Sequence, residues 1–159
     1  MDLLETIDAL CNHIDDSVDK INSGGCAVFA ACMGKRLMQY GEVRIAVGCD
    51  DGDTTIDDAR DGVLFNTTGE WNENGVFFNH IVVEFKYEGK MYHIDSSGVH
   101  KESHFTHLGS FPILDGRLTV AECGEIAGSS EGWNWMFNRA AIPRIQRMVD
   151  YGFDQIATC

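Results

Sequence analysis

The sequence predicts an α+β fold in which N-terminal helices pack against an antiparallel β-sheet. Apolar residues recur at steps of three and four over residues 2–21, which is the period of an amphipathic helix. Apolar and polar residues alternate over residues 42–49, which is typical of a strand. Residues 76–86 and 90–96 form two further strand patterns around Glu88-Gly89, and this spacing predicts a hairpin with a tight turn.

A second helix is predicted to begin at Cys26. The segment Asn-Ser-Gly-Gly at 22–25 breaks the first helix, and an alanine-rich apolar run then continues as far as Gly41. The acidic stretch 50–61 is predicted to be a solvated loop that leads into a short helix capped near Thr54 or Thr55.

The C-terminal third is predicted to be mainly helical after a turn at Asp115-Gly116. The pattern Thr119-x-x-Glu122 matches a capping box and predicts a short helix ending at Gly128. Residues 133–151 also have a helical pattern, which we expect to be kinked or restarted at Pro143.

The composition indicates one folded domain spanning residues 1–159. Hydrophobic residues make up 44% of the chain and charged residues 23%, which is ordinary for a globular protein. No apolar run approaches the roughly 20 residues that span a bilayer, and the first residues carry acids where a secretory signal carries lysine or arginine. We therefore expect a cytoplasmic protein with no membrane partner. Asp+Glu number 25 against 12 Lys+Arg, and the net charge of −13 disfavours nucleic acid as a partner.

The six cysteines are predicted to be free thiols. None stands in a C-x-x-C pair, and a chain of 159 residues folds without cross-links. A metal site is the alternative suggested by four histidines, but a polar surface loop explains them more simply; they are His93, His100, His104 and His107. Neither a metal nor another cofactor is expected.

Cys26 differs from the other cysteines because Gly24 and Gly25 precede it where a loop enters a helix. At a helix N-terminus the free N–H groups and the helix dipole favour a thiolate, which is the nucleophilic form of cysteine. The glycines let a substrate carbonyl approach the backbone, so the Cys26 N–H can donate to a developing oxyanion. Taken alone, Cys26 is more simply explained as a buried helix cysteine like Cys32.

The predicted hairpin supplies the base and the carboxylate that such a nucleophile needs. If Glu88 and Gly89 are the two loop residues, Asp95 lies opposite Val82, and His80 shares a face with Val82. Asp95 is then the diagonal neighbour of His80 at about 7 Å between Cβ atoms, within reach of a hydrogen bond. The sequence therefore predicts a catalytic triad of Cys26, His80 and Asp95.

The segments GGCAVFAACMGKRL, NHIVVEF and YHIDSSG, in this order, resemble the papain-like and transglutaminase-like cysteine hydrolase superfamily. The spacing of His80 and Asp95 is also similar to that of the arylamine N-acetyltransferases. The resemblance implies a papain-like core with the active cleft between the helices and the sheet. Papain-type enzymes have an oxyanion-hole glutamine six positions before the cysteine, where this chain has Lys20. We expect Asn22, or a residue elsewhere in the chain, to substitute for it, and Gly25 and Trp71 to line the substrate site. A role for Trp71 as an anchor of its loop is the alternative.

Three functions remain open from the sequence. The first is hydrolysis of a peptide or isopeptide bond in a protein or peptide substrate through an acyl-enzyme on Cys26. The second is glutamine deamidation or acyl transfer by the same intermediate, since only the acceptor differs. The third is a catalytically silent module that keeps the fold to bind a protein.

Overall fold

The structure is a computed structural model, and it describes residues 2–18, 21, 25–49, 55–60, 80–101, 107–108, 111–129 and 139–157. The N-terminal half contains α1 (Leu3–Ser17), α2 (Cys26–Leu37), β1 (Glu42–Gly48) and α3 (Ile56–Arg60). The strands β2 (His80–Tyr87), β3 (Lys90–Asp95), β4 (Gly98–His100), β5 (His107–Leu108) and β6 (Phe111–Pro112) follow. The chain continues with α4 (Val120–Ser129), a 3-10 turn (Arg139–Ala141) and α5 (Ile142–Ala157).

The predicted α+β class is confirmed: helices accompany an antiparallel four-stranded sheet in the order β1-β2-β3-β4. The hairpin has the predicted register, because Tyr87 pairs with Lys90 and Val83 with Ile94. Glu88 and Gly89 form the turn with φ of 50° and 79°, the positive values that a two-residue hairpin turn of the primed type requires. The sequence therefore predicted correctly which side chains of the hairpin share a face.

The helices cover one face of the sheet. Ile81, Val83 and Phe85 lie on that face in a buried apolar cluster that also contains residues of α1, α2 and α5. The opposite face carries Val82, which packs with Ala46 and Ile113. The alternation of β2 thus places its odd-numbered residues under the helices and its even-numbered residues, beginning with His80, on the opposite face.

The first helix ends earlier than its apolar period predicts, at Ser17 rather than at residue 21. Val18 takes an extended backbone, yet Val18 and Ile21 are still buried in the core at 3% and 2% exposure. The apolar period therefore continues past the end of the helix. The helix starts at a capping box of Asp2 and Glu5, which the sequence analysis missed although the D-x-x-E pattern encodes it.

Several helix boundaries agree with the predicted signals. Thr119 and Glu122 form the predicted capping box, with Glu122 Oε1 accepting from the Thr119 N–H at 2.8 Å. Thr55 caps α3 through the N–H of Asp58 at 3.4 Å. Pro143 lies in the first turn of α5, where a missing N–H is tolerated. The predicted helix over 133–151 is observed only from Ile142 and continues to Ala157, beyond its predicted end, while residues 133–138 lie outside the described residues. The second helix ends at Leu37, and the chain turns before Gly41.

Within the described ranges, no helix combines the length and the apolar character needed to cross a bilayer.

Candidate active site

Cys26 is the first residue of α2, as predicted. Gly25 precedes it as the N-cap residue, is buried, and supplies no side-chain cap to the helix. Cys26 is half-buried, whereas the four other cysteines that the structure describes are buried; these are Cys11, Cys32, Cys49 and Cys123. All five are free thiols, which agrees with the prediction for every cysteine except Cys159, outside the described residues. Cys26 is thus the most accessible thiol of the described chain.

His80 connects the helix to the sheet. It is the first residue of β2, and its Nε2 atom lies 2.8 Å from Oδ2 of Asp95. Cys26 is the other group beside the ring, and its thiol contributes to raising the pKa of His80. Because Nε2 is engaged by Asp95, Nδ1 is the ring nitrogen left for Cys26. The structure therefore brings the three predicted residues together in the predicted order.

The contact occurs at the end of the sheet rather than under the body of α2. Gly48 of β1 is the cross-strand partner of His80, and as a glycine it places no side chain beside the imidazole. The body of the helix packs over Ile81, Val83 and Phe85, on the face that the alternation assigns to apolar residues. Cys26, the first residue of α2, is the residue of this helix that acts on the ring of His80 in its titration.

The surroundings of His80 favour its charged form. Burial opposes the charge, but the hydrogen bond with Asp95 and the neighbouring Cys26 outweigh burial and raise the pKa of His80 to about 10 from its ordinary value of 6.5. His80 therefore carries its proton at neutral pH. A protonated imidazole beside a sulfur atom is the arrangement that stabilises a thiolate.

The two oxygens of Asp95 have different partners. Oδ2 accepts from His80, while Oδ1 accepts from the Ser97 N–H at 2.9 Å, from the Ser97 hydroxyl and from His100 Nε2 at 3.1 Å. Burial disfavours the charged carboxylate, but the hydrogen bonds from His100, His80 and Ser97 overcome this effect and hold the pKa of Asp95 well below its usual range. Asp95 is therefore an ionised acceptor with a fixed orientation.

His100 and Ser97 are the site residues that the sequence analysis missed. The prediction of a polar surface loop at His100 is wrong, because this residue lies in β4 and pairs with His93 of β3. Asp95 pairs with Gly98 across a turn at Ser96-Ser97, so His100 is the diagonal neighbour of Asp95 on one side as His80 is on the other.

His93 lies in the strand predicted over residues 90–96, but the surface position expected for it is wrong, because it is 1% exposed, with Nε2 3.6 Å from Glu84 Oε2. His107 lies in β5, and His104 is outside the described residues. In the described ranges, no three His, Cys, Asp or Glu side chains are grouped as metal ligands would be. Asn22 and Trp71, the other expected substrate-site residues, also lie outside the described residues.

A buried ionic group lies farther along the same face of the sheet. Arg117 Nε donates to Oε2 of Glu84 at 2.9 Å, and Arg117 Nη1 donates to the carbonyls of Leu114 and Gly116. The nearby His93 and the hydrogen bond from Arg117 outweigh the opposing effect of burial and lower the pKa of Glu84 to about 2. These bonds tie the chain at 114–117 to the sheet.

Comparison with family models, with curated proteins and with solved structures gave no match to this chain. The arguments for function therefore come from the site alone.

Proposed function

We propose that this protein is a cysteine-dependent hydrolase that cleaves a peptide or isopeptide bond through an acyl-enzyme on Cys26. The observation that carries the proposal is the pairing of His80 Nε2 with the Asp95 carboxylate at 2.8 Å, beside a half-buried Cys26 at the start of α2 whose thiol interacts with the His80 ring. A nucleophile, a base and an orienting carboxylate in contact are the parts that acyl transfer by cysteine requires.

The reaction begins with Cys26 as a thiolate and His80 as an imidazolium. The sulfur forms a bond to the acyl carbon, and the carbonyl electron pair moves to the oxygen. The N–H of Cys26 is a donor for this oxyanion, because the N–H of the first residue of a helix has no acceptor within the helix. As the carbon–nitrogen bond breaks, His80 gives its proton to the leaving amine, and a thioester remains on Cys26.

The second half returns the site to its starting state. His80, now neutral, removes a proton from water, and the resulting hydroxide adds to the thioester carbon. Collapse of the adduct releases the acid and leaves the thiolate beside the imidazolium. Asp95 keeps its charge throughout, which supports the imidazolium each time it forms.

An amine in place of water would give acyl transfer, and ammonia release from a glutamine side chain would give deamidation. Both use the same thioester, so we treat them as alternative outcomes of one assay. A papain-like core belongs to the proposal too: a half-buried cysteine at a helix start, with histidine and aspartate on adjacent antiparallel strands, supports it.

Limiting iodoacetamide at pH 7, followed by peptide mass spectrometry, tests the proposal without a known substrate. We expect alkylation to fall mainly on Cys26, and we expect His80→Ala to slow it at least about tenfold through loss of the stabilising charge. His13→Ala, which changes an exposed histidine of α1, is the matched control. Slow, uniform labelling of all thiols in the parent protein would instead support a silent binding module.

Turnover is then measured on a peptide library with and without an added primary amine. Release of free carboxylate indicates hydrolysis, and incorporation of the amine indicates transfer. Cys26→Ala must abolish either product while the variant stays folded.

A further inference from the structure

His100 lies on the side of Asp95 that faces away from His80. Its Nε2 atom is 3.1 Å from Oδ1 of Asp95 and 2.7 Å from the hydroxyl of Ser97, and its side chain is 33% exposed. The Nε2–H is shared between these two oxygens, and the Ser97 hydroxyl donates to the same Oδ1 atom. With the Ser97 N–H, which lies 2.9 Å from Oδ1, three donors therefore bind this one carboxylate oxygen.

This arrangement determines where the second oxygen points. A carboxylate on a two-bond side chain can rotate, and one hydrogen bond to His80 does not fix its plane. With Oδ1 held by Ser97 and His100, rotation would break several bonds at once, so Oδ2 stays directed at His80 Nε2. We propose that His100 is a positioning residue for the site: it anchors Oδ1 of Asp95, and the anchored carboxylate orients the ring of His80 toward Cys26. This inference rests on the proposed function.

The strand that carries His100 is itself held in place by α1. Asp8 Oδ1 accepts from the Val99 N–H at 2.8 Å, and Asp15 Oδ1 accepts from the Ser96 hydroxyl at 2.9 Å. Gly98, between them, has φ of 129°. These two acids of α1 thus bind β4 and the turn that leads into it. The position of His100 therefore depends on a tertiary contact rather than on a mobile loop.

The charges facing His100 come from three elements. Asp95 on β3 and Asp8 on α1 favour its protonation, His80 on β2 opposes it, and His93 pairs with it across the strands. The hydrogen bond with Asp95 outweighs partial burial and raises the pKa of His100 above its ordinary value of 6.5. Its charge and that of His80 therefore act on the same carboxylate from opposite sides.

The experiment follows the histidine rings directly by NMR across a pH series, with ring carbons labelled and resonances assigned by substitution. The proteins are the parent, His100→Ala, His100→Gln and the control His13→Gln, in which an exposed histidine of α1 is replaced. The rate of Cys26 alkylation by iodoacetamide at pH 7 is measured on each protein, together with its thermal midpoint.

In His100→Ala the carboxylate loses an anchor, and we expect alkylation of Cys26 to slow about tenfold. His100→Gln restores a donor without a charge, so it should recover most of the rate. It should also raise the titration midpoint of His80 by about 1 pH unit, because a neighbouring positive charge is gone. His13→Gln should change neither quantity.

Alkylation at the parent rate in His100→Ala, with an unchanged His80 midpoint, would overturn the inference. If His100→Ala does not fold, the parent protein and His100→Gln decide: an ordinary His100 midpoint near 6.5 and an unmoved His80 midpoint would also overturn it. Failure of the proposed function has a different signature. There, His80→Ala leaves Cys26 alkylation unchanged, whatever the His100 variants do.

Discussion

Replacing Asp95 with asparagine should disable the site through the tautomer of His80. In the parent protein, Oδ1 is surrounded by donors from Ser97 and His100, while Oδ2 meets His80. An asparagine must place its oxygen where the donors are, so its NH₂ group faces His80 Nε2. Two donors cannot bond, and the ring therefore turns Nε2 into an acceptor by moving its proton to Nδ1, the atom that faces Cys26. The imidazolium is no longer supported.

The size of the effect follows from the bond that is lost. A hydrogen bond to a charged group contributes about 1.5–3 kcal/mol, and each 1.4 kcal/mol is a factor of ten, so Cys26 alkylation at pH 7 should slow about 10- to 100-fold. Turnover should fall further, to about 10⁻⁴ of the parent rate at most, since the wrong tautomer also fails as a base and an acid. Asp115→Asn, an exposed acid in a turn that tolerates asparagine, is the matched control.

The test that most directly challenges this reasoning is a double variant. If Asp95 acts through His80, then Asp95→Asn should have almost no further effect on alkylation in a His80→Ala background. Independent losses that simply add in the double variant would refute the triad, even if Cys26 itself proved reactive. So would an Asp95→Asn protein that alkylates as fast as the Asp115→Asn control.

Further outcomes are expected for the thiols, for acid denaturation and for two glycines. Thiol titration of denatured, unreduced protein should find six thiols, and a missing pair would contradict the prediction. The free energy of unfolding of Cys26→Ala should lie within about 0.5 kcal/mol of the parent value. The pKa of Glu84 is about 2 in the folded protein, against an ordinary value of 4.5. Glu84 therefore stabilises the fold above pH 4.5 by at most about 3 kcal/mol, and this contribution is lost as the pH falls toward 2. In Glu84→Gln the free energy of unfolding should therefore fall less steeply with pH between 4.5 and 2 than in the parent protein. An unchanged slope would contradict this role of Glu84. Gly98→Ala should cost about 2–3 kcal/mol in thermal or urea unfolding, because φ is 129° and a Cβ would lie 2.3 Å from Asp8 Oδ1. Gly124→Ala, where a Cβ meets no atom within 4 Å, should instead stabilise α4 by about 1 kcal/mol, and equal losses at the two glycines would show the reasoning to be wrong.

The contact between His80 and Asp95 could be predicted because its determinants are local. The alternation of β2, the Glu88-Gly89 turn and the period of β3 fix the register without reference to the rest of the chain. The end of α1 could not be predicted in this way, since Val18 and Ile21 are buried as if the helix continued. A periodic pattern reports which residues face the core and does not report whether the backbone is still helical.

The strand β4 was missed for another reason. It has three residues, too few for an alternating pattern, and it depends on contacts from a distant helix. Asp8 of α1 accepts a hydrogen bond from the Val99 N–H, and no local sequence pattern in either segment predicts this contact. The role of His100 became visible only when three strands and a helix were placed together.

Glu84 and Asp95 lie on the same face of the sheet, and their bonds lead in different directions. The Glu84 side chain is 6% exposed, and its bonds run through Arg117 to the carbonyls of Leu114 and Gly116, so they hold a segment of chain against the sheet. The Asp95 side chain is 14% exposed, and it binds His80, the residue that interacts with Cys26. Loss of the more deeply buried charge should therefore act on stability, and loss of the other on reactivity.

The two substitutions separate these roles in one experiment. Glu84→Gln should lower the free energy of unfolding at pH 7 while folded protein alkylates Cys26 at the parent rate. Asp95→Asn should do the reverse, with a large loss of alkylation and a smaller loss of stability. If both variants instead lose stability and reactivity in the same ratio, Asp95 acts only by holding the sheet together. In that case a reactive Cys26 would have to be explained by His80 and the start of α2 alone.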